Sequence, residues 1–268
     1  MSLVTEERKG ATALITYANP PLGTMTALGS VEMLAAMRRA VEDASVRAVV
    51  ITGGLPGIFV RHYDVGELSV MSDGLAGAPP APAPPAASDQ PEGGAFGQLI
   101  DLIAAAPKPV IAAINGLCMG GGFEITLACD IRVAGSDVTA IGLPETRAGI
   151  FPGGGGTQRL PRVIGEARAL EMILRGRVVN GEEAGRIGMV HEVAADPLAR
   201  ALEIAAEFEA KGADGVAFAK RLVRAALDRP ISEGLSDERR SFVEVMKTDS
   251  ARAALRASRP PAPIQNQP

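Results

Sequence analysis

Cysteine is scarce in this chain of 268 residues, where Cys118 and Cys129 are the two thiols and each sits among apolar neighbours. That excludes a disulfide-stapled scaffold and predicts buried free thiols in a reducing compartment. Histidine is as rare, with only His62 and His191, and no metal site is expected. A basic excess is also missing: 27 Lys and Arg stand against 31 Asp and Glu, a net charge of −4. Nothing global therefore draws the chain to nucleic acid or to an acidic membrane, and an anionic ligand must be held locally. Nowhere do 18 uncharged apolar residues follow one another, and the start, Met1-Ser2-Leu3-Val4-Thr5-Glu6-Glu7, has neither a basic nor an apolar segment. A cytoplasmic protein without a membrane span is the expectation.

What is present is a hydrophobic content of 47%, enough for a substantial core. Short β-type runs occur at Thr12–Tyr17, Ala48–Thr52, Val110–Ile114 and Ile131–Ala134, each bounded by Gly, Pro or Asn. Between the first two, Val31–Val41 carries an apolar face at helical spacing. This alternation predicts an α/β core over residues 1–195. From Asp196 the pattern changes to amphipathic helices, at Leu198–Glu209, Val216–Leu227 and Ser232–Met246. Residues 196–258 are thus expected to form an all-helical region that folds back on the core or packs on another subunit. Gly74–Gly94 holds six of the chain's 20 prolines and reads as a mobile surface loop, and Arg259–Pro268 as a disordered tail.

The stretch richest in chemistry is Asn115-Gly116-Leu117-Cys118-Met119-Gly120-Gly121-Gly122-Phe123-Glu124. Three glycines open a plausible helix whose first-turn amides lack intrahelical acceptors, so a ligand oxygen can approach them closely. Tight packing of a strand-to-helix turn explains the same glycines. Glu124 either stabilises that helix end or does chemistry. Glu145, in Leu143-Pro144-Glu145, is on its own a solvated turn residue or a partner of Arg147.

Taken in order, these segments resemble the enoyl-CoA hydratase/isomerase (crotonase) superfamily. The similarity runs from Lys108-Pro109-Val110-Ile111-Ala112-Ala113-Ile114-Asn115-Gly116 through Phe123-Glu124 to Ala128-Cys129-Asp130-Ile131-Arg132-Val133-Ala134. It continues through Leu143-Pro144-Glu145, Gly149–Pro161, Gly165-Glu166-Ala167 and Gly188-Met189-Val190, and covers about residues 10–255. The resemblance implies a spiral of β-β-α units with a helical oligomerisation end, assembled as a homotrimer or a dimer of trimers. It implies an acyl-CoA thioester substrate and reversible hydration of a trans-2-enoyl-CoA, as in fatty-acid catabolism, with no separate cofactor. By position it gives the oxyanion-binding amides to Gly121 and Tyr63, water activation to Glu124 and proton exchange at the α carbon to Glu145. Arg61, Tyr63, Asp64, Val65, Lys247 and Arg252 are the candidates for contacting coenzyme A.

The pattern is broken at Phe59-Val60-Arg61-His62-Tyr63-Asp64. Relatives usually carry small residues here, so Tyr63 adds bulk beside the thioester site and His62 replaces a glycine. His62 is either a third acid–base group or a packed imidazole; His191 is expected to be structural. Gly66 stands where some hydratases carry a lysine. Hydrolysis or double-bond isomerisation of an acyl-CoA is the alternative chemistry. An RNA-binding role is disfavoured, because Arg38 and Arg39 are countered by Glu32, Glu42 and Asp43.

Overall fold

The computed structural model describes residues 2–79 and 94–258. The mobile loop and the disordered tail expected from proline content fall for the most part outside these residues.

The chain opens with an antiparallel pair, β1 (Val4–Lys9) and β2 (Thr12–Tyr17), followed by α1 (Ala27–Glu42). Thr26 starts α1 by accepting the Gly29 amide at 3.0 Å, as an N-cap hydroxyl does. Three turns of a spiral follow, each laying one strand in a large sheet, a second in a small sheet, and then helical segments. The first has β3 (Ala48–Gly53), β4 (Ile58–Val60), α2 (Val65–Gly74) and α3 (Gly94–Ala105). The second has β5 (Val110–Ile114), β6 (Leu117–Met119) and α4 (Gly121–Ala128). The third has β7 (Ile131–Gly135), β8 (Ile141–Gly142), a 3-10 turn (Glu145–Ala148), α5 (Gly156–Ile164) and α6 (Glu166–Leu174). Then come β9 (Val178–Val179), α7 (Gly181–Arg186), β10 (Glu192–Ala194), α8 (Pro197–Ala206), α9 (Ala213–Arg224), α10 (Ile231–Met246) and α11 (Asp249–Ala257).

The large sheet runs β1-β2-β3-β5-β7-β10, parallel throughout except for β1 on β2, and the small sheet runs β4-β6-β8-β9. Parallel strands buried on both faces read as continuous apolar runs, and β3 and β5 are buried along their whole length. Along β3, Val49 and Ile51 join the main core with Met33, Met37 and Phe59, while Ala48 and Val50 face Ala201, Ile204 and Ala205 of α8. Each fully buried Ile or Leu side chain contributes about 1.5–3 kcal/mol. The chain from Asp196 on is helical, and its first helix folds back on the core: α8 covers a face of the large sheet, with α9, α10 and α11 outside it.

The step from one sheet to the other explains Asn115-Gly116. Asn115 imitates a strand residue with its side chain, accepting the Gly53 amide at 3.1 Å and donating to the Gly53 carbonyl at 2.8 Å. At Gly116 a Cβ would lie 1.9 Å from the carbonyl carbon of Gly57, so no side chain fits where β5 gives way to β6.

Candidate active site

Because β4, β6 and β8 are neighbours in the small sheet, the segments that leave their ends are neighbours too. Tyr63 follows β4 at the entrance to α2, Gly120 and Gly121 follow β6 at the start of α4, and Glu145 follows β8 in the 3-10 turn. One cavity of about 370 Å³ collects these junctions; its lining includes His62, Tyr63, Gly120, Gly121, Glu124 and Glu145. Residues far apart in the chain thus meet because of strand order, not because of local spacing.

The turn into α4 depends on glycine. Gly120 takes φ +51°, a conformation that L side chains resist. A Cβ at Gly122 would lie 2.0 Å from the Val60 carbonyl oxygen, so the helix end can seat this closely on β4 only with glycine there. A Cβ built on Gly121 would point at Tyr63, 3.5 Å from its amide nitrogen. Neither the Gly121 nor the Tyr63 N–H has an acceptor among the described residues. The peptides that carry them are polarised from behind: Glu124 N–H donates to the Gly120 carbonyl at 2.9 Å, and Met25 N–H to the His62 carbonyl at 2.8 Å. Hydrogen-bonded chains of this kind strengthen the free donor at the far end.

The two carboxylates share the cavity but not an environment. Glu124 is 3% exposed, and its Oε1 accepts the amides of Gly154 at 2.7 Å and Gly156 at 2.8 Å. Burial raises its pKa, while these two amides and the nearby Arg159 oppose the rise by favouring the anion. Arg159 in turn donates to the Gly154 carbonyl at 3.1 Å. Glu145 is supported by its own backbone amide alone, and its Oε2 is buried with no partner among the described residues. Burial, reinforced by the charge of Glu124, lifts its pKa to about 7. The Glu124 anion thus has two amides and an arginine in its favour, whereas Glu145 readily carries a proton close to neutrality.

Tyr63 and Val65 line the cavity, whereas Arg61, Asp64, Lys247 and Arg252 do not. Asp64 is committed to its own helix, accepting the Glu67 amide at 3.1 Å and the Thr24 hydroxyl at 3.0 Å. Lys247 pairs with Glu244 at 2.6 Å and Arg252 with Asp249, both on the outer helices. The Arg61 Nε is buried without a partner among the described residues. Its neighbour His62 holds the Tyr63 carbonyl through Nδ1 at 2.7 Å. His191 accepts the Arg132 amide at 3.1 Å, away from the cavity.

Several site residues were not singled out from the sequence. Phe96 of α3 packs edge-on to the Tyr63 ring at 5.4 Å. It also roofs Gly121 and Gly154, where an added Cβ would lie 3.1 Å and 2.8 Å from the Phe96 ring. The Phe96 segment carries glycines on both sides and follows the proline-rich stretch, which hides its helical period. The run Gly153-Gly154-Gly155-Gly156 was visible, but not its role as the anchor of Glu124.

The model of the family described as enoyl-CoA hydratase/isomerase matches residues 7–261. This chain belongs to that family. Among its relatives, the enoyl-CoA hydratase/isomerase YngF of Bacillus subtilis, itself named as putative, is 44% identical over 158 residues, 58% of this chain and 60% of YngF. The mitochondrial methylglutaconyl-CoA hydratase of Rattus norvegicus is 36% identical over 228 residues, 82% of this chain and 68% of that protein. The first match thus spans less than two thirds of the relative's own length. Among solved structures, an enoyl-CoA hydratase from Bacillus anthracis superposes with a TM-score of 0.83 at 28% identity, covering 96% of this chain and 95% of that one. The family assignment agrees with the spiral of β-β-α turns and with the helical C-terminal end.

Proposed function

We propose that the protein catalyses the reversible syn addition of water to a trans-2-enoyl-CoA, giving the 3-hydroxyacyl-CoA. The observation that carries this reading is the pair of unlike carboxylates in one cavity, Glu124 anchored by two amides and Glu145 with an unpartnered oxygen. The Gly121 and Tyr63 amides receive the thioester oxygen, where negative charge gathers as the enolate forms. Loss of one such donor costs roughly 2.7–4 kcal/mol in comparable oxyanion holes. Glu124, through the oxygen left free by Gly154 and Gly156, takes a proton from water as its oxygen bonds to the β carbon. Glu145 delivers its proton to the α carbon, and solvent then resets the two groups. Protons and electrons balance between water and the carboxylates, so the reaction needs no metal or redox cofactor.

Loss of enoyl-thioester absorbance with crotonyl-CoA and identification of the 3-hydroxyacyl product test the proposal. A Glu124→Gln, Glu145→Gln double variant with parental activity would overturn it. Release of free thiol would instead indicate hydrolysis, and a shifted double bond without water uptake would indicate isomerisation.

Assembly as a trimer or a pair of trimers is part of the same proposal. Ile231, Phe242 and Val243 of the outer helices are exposed, and apolar faces of this kind support association. Sedimentation of the full chain tests it.

A further inference from the structure

We infer that the acyl end of the cavity selects a neutral, apolar chain and rejects an acyl group that ends in a second carboxylate. This rests on the acyl-CoA reading above and narrows its substrate class. Beyond the glutamates and the oxyanion amides, the cavity is walled by Val65, Leu68, Met71, Phe96, Ile150 and Phe151, and no Lys or Arg lines it among the described residues. The lining side chain able to carry positive charge is His62, and its Nδ1 is already engaged by the Tyr63 carbonyl at 2.7 Å.

The arm that supplies most of this wall extends the same property through the sequence. From residue 62 to residue 107 there is not one Lys or Arg, while Asp64, Glu67, Asp73, Asp89, Glu92 and Asp101 give six carboxylates. Residues 80–93 therefore bring no cation to the site whatever their path. Arg159 bonds the Gly154 carbonyl and lies 3.6 Å from Asp101, Arg147 lies against Gly176, and Arg61, although next to His62 in the chain, does not line the cavity.

An anionic acyl terminus entering this cavity would leave water without a countercharge, beside Glu124 and Glu145. Withdrawing an unpaired carboxylate from water is unfavourable, and the two glutamates of the cavity repel it when ionised. An apolar terminus meets side chains that gain by being covered. A methylglutaconyl group ends in a carboxylate, so this wall separates the chain in substrate from the relative named for that acyl group, despite 36% identity.

The test separates tail preference from catalysis by using unreactive saturated thioesters. Calorimetric titration of the full chain with hexanoyl-CoA and glutaryl-CoA, of similar length, is expected to show at least tenfold tighter binding of hexanoyl-CoA. Met71→Lys, on the exposed rim of the wall, is expected to narrow that ratio several-fold by supplying the missing cation. Equal affinities, a preference for glutaryl-CoA, or failure to bind hexanoyl-CoA overturns the inference. Hydration assays with trans-2-hexenoyl-CoA are read separately: tail selectivity in binding without turnover would count against the proposed reaction and leave the selectivity standing.

Discussion

The amide of Gly154 donates to Glu124 Oε1 at 2.7 Å, and the same glycine leaves no room for a side chain between that carboxylate and Phe96. A Cβ at Gly154 would lie 2.7 Å from Glu124 Oε2 and 2.8 Å from Phe96. Gly154→Ala is thus expected to displace the carboxylate or the ring while leaving the sheets intact. The turnover number should fall on the order of 10²-fold, in the range for a misplaced acid–base group, with far-ultraviolet dichroism unchanged. Parental turnover would show that this anchoring is dispensable.

The unlike environments of Glu124 and Glu145 also set the pH dependence. In the proposed reaction hydration needs Glu124 ionised and Glu145 protonated, and dehydration needs the reverse, which is the same pair with one proton shared. Since hydration of the double bond neither takes up nor releases a proton overall, kcat/KM in both directions must follow one bell. The alkaline limb belongs to loss of the last proton and is expected near pH 7, the value to which burial lifts Glu145. Glu145→Gln should abolish that limb together with most of the rate. Limbs that differ between the two directions would contradict the paired assignment.

Glu145 has a second, opposite consequence for stability. Its folded pKa of about 7 lies above the ordinary 4.5, so folding favours the protonated form. The associated stability is fully present below the unfolded value and is lost as pH rises through about 7. At pH 8 Glu145→Gln is expected to exceed the parent by about 1–2 kcal/mol, a figure reduced for partial exposure, and at pH 4 to match it. Urea midpoints at the two pH values check the crossover. A variant weaker than the parent at pH 8 would mean that the ionised carboxylate is supported in the fold.

Much of this was legible in sequence because the core strands are doubly buried. Thr12–Tyr17, Ala48–Thr52, Val110–Ile114 and Ile131–Ala134 carry β-branched and small apolar residues with little interruption, and all lie in the large sheet. The small sheet was not read: β6, β8 and β9 have two or three residues each, too few to show a period. β1 escaped because its run Glu6-Glu7-Arg8-Lys9 is exposed on both faces at the edge of the sheet, where charge guards against further pairing. Glu124 and Glu145 were placed by resemblance, and their difference in character was not readable. It arises from Gly154 and Gly156, which reach Glu124 only after the third turn of the spiral closes.

Arg159 supports the anchor from behind, donating to the Gly154 carbonyl at 3.1 Å and favouring the Glu124 anion by its charge. Arg159→Met should raise the Glu124 pKa further and move the acid limb of the activity bell upward. Arg159→Lys keeps the charge and should restore much of the limb's position, with a smaller recovery of rate because the planar donor is lost. If both variants merely lower expression and leave the profile unmoved, Arg159 acts only in packing.

The outer helices are tied to the core through Asp130. Its Oδ2 accepts the Val110 amide at 2.8 Å and pairs with Lys220 at 2.8 Å, while Oδ1 pairs with Arg224 at 2.9 Å. Lys220 is largely buried and also donates to the carbonyls of Ile103 and Lys108, so three segments of the core hold it. Burial depresses its pKa, which shows how much its charge relies on that carboxylate. Removing one partner of a part-buried pair strands the other, at a cost below the about 3–5 kcal/mol of a fully buried pair. Asp130→Ala is therefore expected to release α9 before the sheets unfold, because α8 stays on the large sheet through Ala201, Ile204 and Ala205. Limited proteolysis should then cut between α8 and α9, near residues 207–212, at denaturant concentrations where the parent resists. Cleavage at the same concentration in parent and variant would mean that the apolar contacts of Phe208 and Val216, and not this ion pair, hold the outer layer.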